Sequence, residues 1–124
     1  MVQSPDAGPQ FEGISPVFPV SDVRAALVFY RERLGFELGW TWGEPPTHAN
    51  VCRGAFDITL TLEPSKSGTG EAYVYMRGGV AYWAELRARN LAPGELDDRP
   101  YGMRDFDLVD TDGNRLVFGE AIAG

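Results

Sequence analysis

A weak internal duplication at a spacing of 56 residues constrains this chain more than any other feature. Val20 falls on Met76, Asp22 on Gly78, Leu27 on Trp83 and Tyr30 on Leu86. Arg31 then falls on Arg87, Arg33 on Arg89, Leu60 on Leu116 and Leu62 on Phe118. Identities are few, but apolar positions mostly meet apolar positions, as they do when one supersecondary unit is used twice. Each half reads as a strand, a helix and then further strands. One such unit leaves a sheet face uncovered, whereas two paired units enclose a cup, and a cup is where a small ligand sits.

The elements follow from periodicity. Residues 14–20 form a strand in which Pro16 and Pro19 favour an edge position. Ser21 and Asp22 are N-cap types, and Val23, Ala26, Leu27, Tyr30 and Leu34 make one apolar helical stripe that ends at Gly35. A strand over 36–42, the turn GEPPT and a hairpin of strands 48–53 and 56–63 complete the first unit. Within the last strand Ile58, Leu60 and Leu62 alternate with Asp57, Thr59 and Thr61, which marks a half-buried strand. SKSGTG, residues 65–70, is the clearest linker. The second unit has a strand over 71–76 and a helix over 79–90 whose Tyr82, Trp83 and Leu86 face the core. A Pro/Gly-rich stretch around one short strand precedes two strands, 104–109 and 115–118, joined by a turn at Asp110–Gly113 and Asn114. The expected class is α+β: one domain over 1–124, with a loose arm at 1–10, modules at 12–63 and 71–121, and a linker at 64–70.

Composition narrows the chemistry. Eleven basic against 18 acidic residues leave a formal net charge of −7, which argues against nucleic acid and suits solubility or a cationic ligand drawn in by the field. The lone Cys52 cannot form an internal disulfide, and with His48 four residues earlier it reads as a packing residue before a catalytic thiol. MVQSPDAGPQ has no basic start and no apolar core, and no apolar run is long enough to cross a bilayer, so the expected location is cytoplasmic, without a membrane partner. There is no phosphate-binding glycine loop, nucleophile elbow or CxxC pair. DTDGN lacks the spacing of a calcium loop and reads as a hairpin turn.

Two segments, PVFPVSDVRAALVFYRERLGFELGW and RPYGMRDFDLVDTDGNRLVFGE, resemble the glyoxalase/bleomycin-resistance/extradiol-dioxygenase (vicinal oxygen chelate) superfamily over residues 14–121. The ending RLVFGE is most similar to its bleomycin-resistance members. The resemblance implies paired βαβββ modules forming a curved mixed sheet around a cup. It also places the metal positions of the enzymatic members on Ser15, Thr61, Glu71 and Val117. A catalytic metal wants about three imidazole or carboxylate ligands, and of these four only Glu71 qualifies. His48 lies away from those positions, so no metal and no cofactor is expected.

What replaces the metal ligands is aromatic. If Ser15, Val17 and Pro19 line the concave face, alternation puts Glu71, Tyr73 and Tyr75 there and turns Ala72, Val74 and Met76 onto the helix. Trp40 and Trp42 share one face of their strand. They either add a second aromatic wall or pack under loops or against another subunit. His48 is either an exposed strand-end residue or a ligand contact. Glu71, and Asp57 if it does not face solvent, would give the groove negative potential. The bleomycin-resistance members are acidic homodimers that sequester a cationic, metallated glycopeptide antibiotic between subunits without catalysis. The resemblance therefore implies a non-catalytic homodimer binding a small planar or cationic ligand through Trp40, Trp42, His48, Glu71, Tyr73 and Tyr75. The alternative is a metal-dependent enzyme of the superfamily with an atypical ligand set.

Overall fold

Two four-stranded mixed sheets, ordered β1-β4-β3-β2 and β5-β8-β7-β6, carry the duplication into three dimensions. The computed structural model describes residues 8–122. The first module comprises β1 (Val17–Val20), α1 (Val23–Val28), β2 (Glu37–Trp42), β3 (His48–Arg53) and β4 (Phe56–Leu62). The second comprises β5 (Glu71–Tyr75), α2 (Gly79–Ala88), β6 (Asp97–Asp98), β7 (Met103–Val109) and β8 (Arg115–Ala121). In each, the first strand pairs parallel with the last, and the other strands pair antiparallel. The chain is α+β, with the expected pair of βαβββ units.

Several boundaries differ from the sequence reading. The first strand begins at Val17, although Pro16 still accepts a ladder bond from Thr59 at 2.9 Å. Past Val28 the helix widens into a π turn over Phe29–Arg33, and α2 stops at Ala88, with Asn90 left-handed at φ 64°. The last strand runs on to Ala121 because Met103 pairs with it. Of the proposed arm, residues 1–7 lie outside the described residues.

The internal spacing also drifts. Val17 in β1 matches Tyr73 in β5 at 56, but their strand partners, Thr59 and Val117, are 58 apart. Extra residues in the second module cause this drift. The β3–β4 hairpin turns through Gly54 and Ala55 alone, whereas Asp110–Asn114 separates β7 from β8. Parity survives a shift of two, so every strand keeps its buried face.

The core is continuous across both modules. It joins Phe18 and Val20 of β1, Ala49 and Val51 of β3, and Ile58 and Leu60 of β4 to Val74, Tyr82, Leu86, Phe106, Leu116 and Phe118. Helix starts are secured differently in the two halves. Asp22 caps α1 by accepting from the Ala25 N–H at 3.1 Å, while Gly78 offers no side chain and Glu120 of β8 accepts from the Gly78 and Gly79 N–H groups at 3.1 Å each.

One polar node crosses the core. Asp110 is buried and accepts from the Tyr30 hydroxyl at 2.8 Å, from Asn114 Nδ2 at 3.0 Å, and from the Asp112 and Asn114 N–H groups at 2.9 Å each. Asn114 also donates to the Pro19 carbonyl and accepts from the Gly70 N–H. DTDGN is thus a hairpin turn, as expected, pinned to the other module. Burial and the Asp110 charge push the Tyr30 phenol far above the ordinary tyrosine range, so it stays a donor. Tyr30→Phe removes one donor from a buried carboxylate and is expected to lower stability by about 1.5–3 kcal/mol. A lower urea midpoint at unchanged m-value is the readout, and an unmoved midpoint would show that the node does not hold the modules.

Candidate functional site

The helix-free face of each sheet is the candidate site, and strand register decides what stands on it. In an antiparallel ladder, directly opposed residues share a face. On the first sheet Trp40 opposes Asn50, Trp42 opposes His48, and Asn50 and His48 oppose Thr59 and Thr61. Ala49 and Val51 of β3 are buried, so this set points away from the core. Trp40 and Trp42 therefore stand on the helix-free face. Trp42 is 67% exposed, and its ring meets His48 edge-on at 5.7 Å. His48 is half-buried, with Nδ1 at 3.0 Å from the Thr47 hydroxyl. A register shift between Leu38 and Trp40 places Gly39 against the Asn50 side chain, where a Cβ would not fit.

The second sheet presents Glu71, Tyr73 and Tyr75, with Val74 buried behind them. The tyrosine rings lie 5.1 Å apart, and Tyr75 is 79% exposed. Tyr73 lies across Gly119 of β8, where any side chain would strike its phenol. Among the described residues no ring pair joins these tyrosines to Trp40 or Trp42. The six anticipated residues are thus divided between two sheets, Trp40, Trp42 and His48 on the first and Glu71, Tyr73 and Tyr75 on the second.

The carboxylates differ from expectation. Glu71 is not available as an unpaired negative group, because Arg115, opposite it in the ladder, donates to it at 2.5 Å and to Asp107 at 3.0 Å. Asp57 does stand on the helix-free face, where it accepts from Ser15 and Asn50 at 2.7 and 2.8 Å.

The polar centre of the second sheet is Asp105, only 3% exposed. It accepts from Arg99 Nε at 2.7 Å, the Tyr73 hydroxyl at 2.9 Å and the Tyr101 hydroxyl at 2.5 Å. Burial opposes its charge, but the bonds from Tyr101, Arg99 and Tyr73 outweigh that and hold the carboxyl below the ordinary aspartate range. Burial and the same carboxylate push the Tyr73 phenol upward. Together with Asp107, Arg115 and Val117 these groups line a hollow of about 760 Å³. Sequence reasoning missed Arg99, Tyr101, Asp105 and Arg115. Alternation along β7 and β8 could have put Asp105, Asp107 and Arg115 on this face, but nothing local marks their pairing.

The donor set does not fit the divalent metal held by enzymes of this fold. The spacing of 58 makes Thr59, not Thr61, the counterpart of Val117, and Ser15 Oγ touches Thr59 Oγ1 at 2.9 Å. Hydroxyls, a valine and an arginine-paired glutamate are poor ligands, and no three His, Cys, Asp or Glu side chains cluster suitably among the described residues.

A family model described as glyoxalase superfamily protein matches residues 6–124. No curated protein matches by sequence. Among solved structures, the bleomycin-binding protein of Streptomyces verticillus, in complex with copper(II)-bleomycin, superposes with a TM-score of 0.78 at 24% identity, over 94% of this chain and 100% of that one. A glyoxalase-related enzyme from Clostridium phytofermentans gives 0.80 at 18% identity, over 94% and 100%. An antibiotic-binding protein from Streptomyces sp. CB03234 gives 0.73 at 24%, over 92% and 100%. At such identities these likenesses establish the shared fold.

The Asp105 cluster has a testable pH signature. Unfolded, the group titrates near its ordinary value of 3.8, and folding lowers that value. Its contribution to stability is therefore complete above about pH 4 and lost as pH falls through the lower folded value. Asp105→Asn is expected to destabilise the fold at pH 7 and to flatten the acid decline in urea midpoint between pH 5 and 3. Parallel curves for the two proteins would remove Asp105 from its central place.

Proposed function

This chain belongs to the glyoxalase superfamily, and from that premise we propose that it binds and sequesters a small planar, cationic ligand, resembling a glycopeptide antibiotic, without transforming it. One observation carries the reading: exposed aromatic rings occupy the helix-free faces where a metal-dependent member needs imidazoles and carboxylates. Trp42 and Tyr75 present broad, open ring faces, suited to stacking on flat ligands and to cation–π attraction. The net charge of −7 draws a cation from a distance, while contact ion pairing is weakened because Arg115 already holds Glu71.

The groove is completed by a second copy. One chain carries its tryptophan wall and its tyrosine wall on separate sheets. Face-to-face pairing would set Trp40, Trp42 and His48 of one protomer opposite Glu71, Tyr73 and Tyr75 of its partner, and would cover the exposed Val17. No described helix is long and apolar enough to cross a membrane.

Titration with copper(II)-bleomycin and simpler flat cations, read by tryptophan fluorescence, tests the proposal. Saturable quenching is expected at or below about 10 μM, a binding free energy of roughly 7 kcal/mol, with the ligand recovered unchanged. Trp42→Ala is expected to weaken binding about tenfold. Sedimentation should show a dimer. Absence of quenching by every flat cation tried, or a chemically altered ligand, would overturn the reading.

A further inference from the structure

The duplication supplies an internal control for a second site. In each module the hairpin between the last two strands approaches the helical segment of the opposite module. At one junction the contact is sealed. Ser21 donates through N and Oγ to Asp112 at 3.0 and 2.6 Å, Tyr30 reaches Asp110, and Asn114 ties the linker to β1. At the other junction the hairpin is shorter, and among the described residues its side-chain bridge to α2 is one ion pair, while Tyr82, Arg89 and Arg33 tie α2 and its end to the helical segment of the first module. Arg53 grips Glu85 at 2.7 and 3.1 Å, with its guanidinium 5.0 Å above the Tyr82 ring. Behind that pair lies a cleft of about 720 Å³ walled by Phe36, Phe56, Val74, Met76, Tyr82 and Phe118. Its mouth is flanked by the small, exposed Ala55 and Ala81.

We infer that this unsealed junction is a second binding site, for a neutral, flat and largely apolar molecule. The volume falls within the range of about 300–1,000 Å³ usual for drug-sized ligands. Of the charges in its wall, Arg53 is committed to Glu85 and Asp57 to Ser15 and Asn50, while the exposed Arg77 makes no side-chain bond among the described residues. A cationic guest would shed its water and meet no unpaired acid, an anionic one would find only the solvent-exposed Arg77, whose charge is screened, and a neutral ring loses little on entry. The guanidinium plane of Arg53 and the aromatic walls are surfaces on which such a ring stacks. Tyr73 and Tyr75 line this cleft as well as the second sheet's open face, so the discriminating substitutions lie elsewhere.

The neutral fluorophore N-phenyl-1-naphthylamine is the probe. Saturable enhancement with one molecule per chain is expected, and Ala81→Phe, filling the mouth from α2, should weaken it at least tenfold. That variant should leave the thermal midpoint and quenching by copper(II)-bleomycin unchanged. Ala55→Trp blocks the mouth from the hairpin instead and keeps the test decisive if Ala81→Phe disturbs the helix. Trp42→Ala should leave probe binding intact. The inference is overturned by an absence of saturable binding, by binding that survives both blocking variants, or by binding lost in Trp42→Ala. It is equally overturned if binding emerges only after residues 1–13 are deleted, because the cleft would then house the N-terminal segment.

Discussion

A buried carboxylate that meets four donors holds the two modules in one arrangement. Asp110 sits where a charge would be costly if unpaired, and it closes its own turn while reaching Tyr30 in the opposite module. Asn114 extends the node to the β1 carbonyl and to the linker. Apolar contacts alone would let two pseudo-symmetric units slide, because the hydrophobic effect has no direction. Hydrogen bonds with fixed geometry choose one registration, and the shared core of Phe18, Tyr82, Phe106 and Phe118 packs around it. Each sheet is thereby left with one face in the core and one turned out.

Duplication followed by divergence explains where the open features lie. Asp22 caps α1 locally, whereas Gly78 has no side chain to do so and Glu120 supplies the bonds from β8. The DTDGN turn is long enough to dock; its counterpart, Gly54–Ala55, is not, and a cleft remains. Neither difference disturbs the alternation of the strands, so the fold tolerates asymmetry at its ends while keeping its core intact.

Much of this was legible in the residues. Strict alternation placed Tyr73 and Tyr75 opposite Val74, and the pairing of Trp40 and Trp42 on one face followed from their spacing. The repeat located both modules. What could not be read was anything that depends on partners distant in sequence. Asp105 gains its role from Tyr73, 32 residues away, and Arg115 neutralises Glu71, 44 residues away. The single offset of 56 also hid the longer second hairpin, which is why Thr61 stood in for Thr59.

The satisfied state of these acids bears on how a ligand is chosen. Glu71, Asp105 and Asp57 all have protein partners, so under the proposed function a cation would be held mainly by ring surfaces and by the diffuse field of an acidic chain. Stacking platforms tolerate varied substituents, since every flat ring has a face to offer, whereas a buried unpaired acid would demand one matching group. Arg99 and Tyr101 reinforce this by fixing the Tyr73 phenol through Asp105, so the platform is rigid before anything lands on it. A preorganised aromatic surface with its charges internally balanced favours planar shape over any particular functional group, which is the selectivity that the proposed sequestering role would need.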